Sequence, residues 1–436
     1  MKTTIWNDLS AHEREEILRR PQKRQDENVA AIVREIFEAV SEEGAAAVDK
    51  FARDFDGAPV SSLTITVDEA RRCRRDLSVG NVEALEFAAA NIRKYHEAIK
   101  PRDLTVEIAP GVTCRRVYQP IDTVGIYVPG GTAMLVSSLL MTAIPAVVAG
   151  VPNIVAVTPP PENSANRDLM VFAAQLCGLD KLYFVGGAQA VAAMTFGAGD
   201  IPKVDKIFGP GNAYVAAAKS YAASLPGGPA MDLPAGPSEL MVIADGDDCD
   251  ARLIALDLLS QAEHDADAQV MLVATNVSLI ERVADAIKDE IQSLPRRSIA
   301  EASLANARCI LVSDFDYAIA IANAYAPEHL SIISENAGEF AKRITSSGAI
   351  FAGASSAESF GDYVCGPSHV LPTDGAGRAW NGVSTDAFMR AISIQEISAA
   401  GASQFAAPAA AIARLEGLEA HARAAVARAR ETVGAA

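Results

Sequence analysis

From about residue 105 onward, short apolar runs alternate with longer stretches whose apolar residues recur at helical spacing. Val124–Val128, Asn153–Thr158, Leu182–Val185 and Val204–Phe208 read as strands. The segments between them read as helices: one up to about Val148, one over Asp168–Leu179, one from Ala188 and one from Asn212. The alternation then restarts, with strands at Leu240–Ala244, Val270–Thr275, Cys309–Ser313 and Ile350–Ala352, and helices over Asp250–His264, Leu279–Leu294 and Tyr317–Tyr325. Alternation of this kind predicts βαβ units and an α/β fold with two open, mostly parallel sheets. The seam between the two blocks falls in the Pro- and Gly-rich stretch Pro226 to Gly236. Upstream, Asn28–Phe51 and Glu83–Ile99 show helical spacing. After about Ser384 the chain turns helical and Ala-rich, too thin for a core of its own, so it is expected to pack on another surface such as a second subunit.

Composition narrows the function classes. Half of the 436 residues are hydrophobic, which suits a large α/β core and argues against disorder. The formal net charge of −17 repels phosphate backbones and anionic lipid surfaces, so neither nucleic acid nor membrane is expected as a partner. The cysteines, Cys73, Cys114, Cys177, Cys249, Cys309 and Cys365, form no Cys-x-x-Cys pair and read as reduced cytosolic thiols. Met1 to Arg20 is charged and shows no secretory h-region, so a cytoplasmic location is expected. Ala133 to Gly150 is apolar enough to resemble a membrane span, but its Ser137, Ser138, Thr142 and Pro145 and its flanking strands favour a helix buried against a sheet.

No Gly-x-Gly-x-x-Gly opens the first βα turn. Three other Gly turns follow strands: Tyr127-Val128-Pro129-Gly130-Gly131, Gly186-Gly187-Ala188-Gln189 and Gly209-Pro210-Gly211-Asn212. Each is either a helix N-terminus offering N–H groups to an anion or an ordinary tight turn. Of six histidines, His12 and His96 lie in charged helical contexts and are expected at the surface; the other four have polar neighbours. Gln261 and His264, three apart, share one helix face and can ligate a metal or simply end an exposed helix. Asp362 and His369 flank a loop in which Asp362 either ligates zinc or satisfies loop N–H groups. Adjacent Glu328 and His329 suit water activation and proton abstraction, or form a solvated loop pair. Glu416 and His421 diverge around a regular helix, unless Gly417 breaks it.

Taken together, these segments resemble the histidinol dehydrogenase family. The residues carrying the resemblance are Ser260-Gln261-Ala262-Glu263-His264-Asp265, Ala326-Pro327-Glu328-His329-Leu330 and Gly361-Asp362-Tyr363-Val364-Cys365-Gly366-Pro367-Ser368-His369-Val370-Leu371-Pro372-Thr373. Asp232-Leu233-Pro234-Ala235-Gly236-Pro237-Ser238-Glu239 and the tail Glu416 to His421 add to it, in order along essentially the whole chain. Leu233 stands where Met is expected in many members and Ser368 where Asn is common; neither change removes a ligand.

The resemblance implies two Rossmann-like domains, a helical N-terminal segment and a small helical C-terminal tail. The division expected is an arm over 1–26, a discontinuous domain over 27–123 and 237–380 with the zinc and acid/base residues, an NAD domain over 124–236, and a tail over 381–436 reaching the partner's site. It implies a homodimer with one zinc per subunit, ligated by Gln261, His264, Asp362 and His421 of the partner subunit. Besides these ligands and the Glu328–His329 pair, Ser238, His369 and Glu416 are the implied substrate contacts. Tyr127, Gln189 and Asn212 are the implied NAD contacts. The implied reaction is two successive oxidations, alcohol to aldehyde to acid, as the last step of histidine biosynthesis, with His329 as general base, Glu328 activating water and zinc mainly orienting the substrate. The competing readings are a relative acting on another alcohol, such as a sulfopropanediol dehydrogenase, a zinc hydrolase lacking the His-Glu-x-x-His motif, and a non-catalytic metal-binding protein.

Overall fold

The structure is a computed structural model that describes residues 3–21, 27–130, 134–234, 236–246 and 248–430. Gly131, Ala133 and Ala235, named above in turns and segments, lie outside the described residues.

The first sheet contains β2 (Ser61–Thr64), β5 (Thr123–Tyr127), β6 (Asn153–Thr158), β7 (Lys181–Phe184), β8 (Lys206–Phe208) and β9 (Ala230–Met231), with strands numbered in chain order. Its spatial order is β2-β7-β6-β5-β8-β9, parallel except for β2, which runs antiparallel to β7. The second sheet contains β1 (Thr3–Ile5), β10 (Glu239–Ala244), β11 (Gln269–Ala274), β12 (Arg308–Leu311), β13 (His329–Ile333) and β14 (Ala349–Ala352), in the order β1-β12-β11-β10-β13-β14 and parallel throughout. Apart from β2 and β1 at the edges, the two sheets share one plan. The strand that starts each lies in the middle, the next two extend to one side, and the chain then crosses to the other side. The crossover points, between β5 and β8 and between β10 and β13, are where open α/β sheets form crevices.

These strands read as almost unbroken apolar runs because helices cover both faces. In β10, Leu240, Val242 and Ala244 join one core while Met241 and Ile243 join the core on the opposite face. The helix Val136–Ala149, the segment that resembled a membrane span, lies buried against the first sheet. No described helix is long and apolar enough to cross a membrane. None of the six cysteines forms a disulfide.

Several expectations are corrected. The N-terminal arm is not only helical: β1 extends the second sheet ahead of the helix Ala11–Leu18. Residues 27–123 do not join the second sheet, as the expected division had it. β2 pairs with β7, and the helices Glu27–Glu43 and Ala45–Phe55 pack on the first sheet through Val33, Phe37, Val48 and Phe51. The C-terminal tail is not only helical: a strand follows the short 3-10 turn Thr385–Phe388. β15 (Met389–Ile397) pairs antiparallel with β4 (Val112–Pro120), which pairs with β3 (Leu104–Ala109), to make a third sheet. This ladder joins segments more than 250 residues apart, so no local pattern announces it. Finally, the helix breaks where Gly417 takes φ +75°, leaving a hairpin of Ala399–Leu415 and Glu419–Arg430.

His96 is fully buried rather than at the surface. The Thr385 hydroxyl donates to the His96 carbonyl at 3.0 Å, and its oxygen lies 3.2 Å from Nδ1, which places the proton on Nδ1. Nε2 is left buried without a partner. Burial therefore pushes the ring down to about 4. A His whose folded value is depressed contributes stability above its unfolded value near 6.5 and loses it as the pH falls toward 4. At pH 5 the loss is about 2 kcal/mol. Urea unfolding at pH 7.5 and pH 5 is expected to show this extra loss in the wild type and not in His96→Phe; equal pH dependence in the two proteins would refute it.

Candidate active site

The C-terminal edge of the first sheet faces the N-terminal edge of the second, and a cavity of about 120 Å³ lies between them. Leu135, Ser138 and Pro210 line it from the first sheet's side, Ser138 from the first turn of the helix Val136–Ala149. Ser238, Gln261, His264, Glu328, His329, Asp362 and His369 line it from the other side. The first sheet thus offers the edge where open α/β folds bind ligands, whereas the second offers its opposite edge.

Pairing of β10 with β13 builds the centre of the site. Leu240 sits opposite His329, so the preceding residue, Glu239, lies beside Glu328 and His329. The Glu239 N–H donates to Glu328 Oε2 at 2.8 Å, and His329 Nδ1 donates to the Glu239 carbonyl at 3.1 Å. Both side chains are buried, contrary to a solvated loop pair. In its neutral form, with the proton on Nδ1, His329 has its lone pair on Nε2, which has no hydrogen-bond partner and lies 3.5 Å from Asp362 Oδ1. Burial alone depresses this ring, but the charge of Glu328 and the contacts with Asp362 and Glu358 outweigh it and hold His329 well above its ordinary value. Asp362 is in turn held below the usual carboxylate range, because the contact with His329 outweighs its burial.

The helix Ala251–Ala262 runs back to the same edge and presents Gln261 in its last turn. Gln261 is buried, and its Oε1 has no hydrogen-bond partner. His264 lies just beyond and is exposed. His369 donates from Nδ1 to the Asp362 carbonyl at 2.8 Å and accepts at Nε2 from Ser138 Oγ at 3.2 Å. It therefore bridges the two sheets as a neutral ring, and burial lowers its affinity for a proton.

Three participants escaped sequence reasoning. Glu239 acts through its backbone, which no residue-type pattern reveals. Ser138 sits within an apolar helix. Glu358 is 2% exposed; Ser260 donates to it at 3.2 Å, and its free Oε1 lies 3.6 Å from His329 Nδ1. Burial raises its carboxyl to about 8. His329, Glu358 and Asp362 have donor atoms within 4.8 Å of one another. Within this trio His329 Nδ1 is tied to the Glu239 carbonyl, so the ring has only Nε2 to offer a cation.

The proposed cofactor contacts lie on the first sheet's C-terminal edge. The Tyr127 hydroxyl accepts from the Gly187 N–H at 3.1 Å, and Gln189 Nε2 donates to Asp56 Oδ2 at 3.2 Å. Asn212 caps the helix Ala213–Ser224 by accepting from Tyr214 and Val215. The turn at Gly209 is not an open anion cradle. Its N–H donates to Asp232 at 2.7 Å, while Lys219 binds its carbonyl at 2.7 Å and Asp232 at 2.5 Å. Asp56 likewise takes the Gly186 N–H at 2.8 Å. Gly209 itself is required, because at φ +112° a Cβ would lie 2.0 Å from the Tyr127 carbonyl oxygen.

Glu416 and His421 do not line this cavity. Both are exposed on the C-terminal hairpin.

The histidinol dehydrogenase family model matches residues 18–429. Histidinol dehydrogenase of Vibrio vulnificus (strain CMCP6) is 43% identical over 424 residues, 97% of each chain. That of Campylobacter jejuni subsp. jejuni serotype O:2 is 40% identical over 421 residues, again 97% of each. Among solved structures, histidinol dehydrogenase from Elizabethkingia anophelis superposes with a TM-score of 0.93 at 39% identity, covering 100% of this chain and 99% of that one.

Proposed function

Because the chain belongs to the histidinol dehydrogenase family, oxidoreductases of histidine biosynthesis, we propose that it oxidises L-histidinol to L-histidine through the aldehyde, using zinc and NAD. The observation that carries this reading is the convergence of Gln261, His264 and Asp362 in one cavity beside the buried Glu328–His329 pair. The unpartnered Gln261 oxygen, an imidazole and a carboxylate form an N/O donor set suited to zinc. A fourth donor is assigned to His421 of the partner subunit. Zinc held by these donors would help to orient the substrate, and NAD held by Tyr127, Gln189 and Asn212 would supply the hydride acceptor for each oxidation.

The chain's own residues then divide the proton chemistry. His329 Nε2 takes the hydroxyl proton in the first oxidation. With a cation held by Asp362, that carboxylate would attract His329 less, which would return the ring toward the neutral form a base needs. Glu328, anchored by the Glu239 N–H, removes a proton from the water that adds to the aldehyde. His329 serves again as that hydrate is oxidised. Ser238 and His369, with Glu416 of the partner subunit, complete the substrate contacts.

The homodimer is supported by apolar surface. Ile412, Leu415 and Leu418 on the hairpin and Val106, Ile108, Ile392 and Ile394 on the third sheet are exposed. A cytoplasmic location follows from the biosynthetic role. One assay tests the chemistry. Protein, zinc, NAD and L-histidinol are expected to yield two NADH per histidinol consumed. No NADH sinks the substrate assignment, and one NADH with free aldehyde sinks the second oxidation.

A further inference from the structure

We propose that Arg20, on the N-terminal arm, is a positioning residue for the Glu328–His329 pair. This inference rests on the reading of that pair as the acid/base machinery.

The Arg20 guanidinium makes a two-pronged contact with the Glu239 carboxylate, Nε to Oε1 at 2.5 Å and Nη2 to Oε2 at 2.7 Å. Nη2 also donates to the carbonyls of Tyr325 at 3.0 Å and Ala326 at 3.2 Å. The guanidinium lies over the Tyr325 ring at 3.9 Å, and Asp374 lies 3.6 Å away. These partners bracket the site. Glu239 starts β10, and its N–H and carbonyl hold Glu328 and His329. Tyr325 and Ala326 form the turn that leads directly into Pro327-Glu328-His329. Ala326 adopts φ +54°, a left-handed conformation that a residue with a Cβ holds only when its surroundings fix it. Arg20 thus ties the side chain of the first residue of β10 to the backbone just before β13, the two paired strands that carry the site.

The chemistry calls for arginine. The Glu239 side chain is 1% exposed and that of Arg20 13%. A buried carboxylate needs a close counter-charge, and a planar fork can reach both oxygens and two carbonyls, whereas an ammonium is a point charge. Without the guanidinium, Glu239 carries an uncompensated buried charge and the Ala326 turn loses two of its anchors. Displacement of about 1 Å at a reacting group can cost about a hundredfold in rate.

The test compares full-length, zinc-loaded Arg20→Met and Arg20→Lys with wild type, with His329→Gln as reference. For Arg20→Met, one zinc per subunit and KM for L-histidinol within about twofold are expected, with kcat about 10- to 100-fold lower. Arg20→Lys is expected to recover part of kcat. Folded, zinc-loaded Arg20→Met with wild-type kcat overturns the proposal. If that variant does not fold, Arg20→Lys decides: reduced kcat at unchanged KM supports the role, and wild-type kcat overturns it. A second readout needs no substrate. With ¹⁵N-labelled histidine, the His329 Nδ1 resonance, identified by its absence in His329→Gln, reports the bond to the Glu239 carbonyl. It is expected to move in the Arg20 variants, and an unchanged resonance overturns the proposal. Failure of histidinol as substrate is thereby distinguished from failure of Arg20 as a positioning residue.

Discussion

His329→Gln is expected to lower kcat for histidinol oxidation about 10²- to 10⁴-fold, the usual contribution of a positioned general base, while zinc remains bound. The Nδ1 bond to the Glu239 carbonyl fixes the ring and leaves Nε2 as the one basic atom facing the cavity. A glutamine amide preserves polarity and most of the volume but does not accept a proton near neutral pH. The proposed zinc donors, Gln261, His264 and Asp362, are untouched, so metal content by mass spectrometry is expected to stay at one per subunit. Wild-type turnover would remove His329 from the base role. Loss of zinc would make it a ligand instead, through the His329–Glu358–Asp362 trio.

The second large effect concerns subunit sharing. His421→Ala and Glu328→Gln are each expected to be nearly inactive, yet coexpressed in equal amounts they are expected to regain about a quarter of wild-type activity. Random pairing makes about half of the dimers mixed, and each mixed dimer has one site that carries both defects and one that carries neither. The argument begins from the hairpin. Its two helices pack chiefly on each other around Ala410, Ala413 and Ala422, it carries Glu416 and His421 away from the cavity, and Leu415 is 87% exposed at its tip. A mixture that stays inactive would mean that both residues serve the chain that bears them, or serve no site.

Much of this was legible in one dimension because the signals are local. The runs Val124–Val128, Asn153–Thr158, Leu182–Val185 and Leu240–Ala244 form strands within a residue or two of their expected limits. Burial on both faces of a parallel sheet writes itself into sequence as an apolar run. The break at Gly417 was legible for a similar reason, since the left-handed conformation there favours glycine. Long motifs around Gln261–His264, Glu328–His329 and Asp362–His369 pointed to the residues that line the cavity.

What sequence did not reveal depends mostly on partners far away in the chain. β3, β4 and β15 carry no continuous apolar run; β3 and β4 pair locally as a hairpin, but β15 joins them only because residues 112–120 and 389–397 meet. His96 has charged neighbours along its helix, yet packing against Thr385 buries it. Glu358 resembles any surface glutamate until burial beside His329 raises its carboxyl to about 8. Sequence by itself therefore determined the α/β class, most strands of the two sheets and the residue types able to do the chemistry, because these follow from local periodicity and from short motifs. Tertiary structure decided which edges of the two sheets face each other, that the Glu239 backbone holds the acid/base pair, and that Glu416 and His421 lie outside their own chain's cavity. Each of these is a contact between distant segments, and a contact of that kind has no signature in either segment alone.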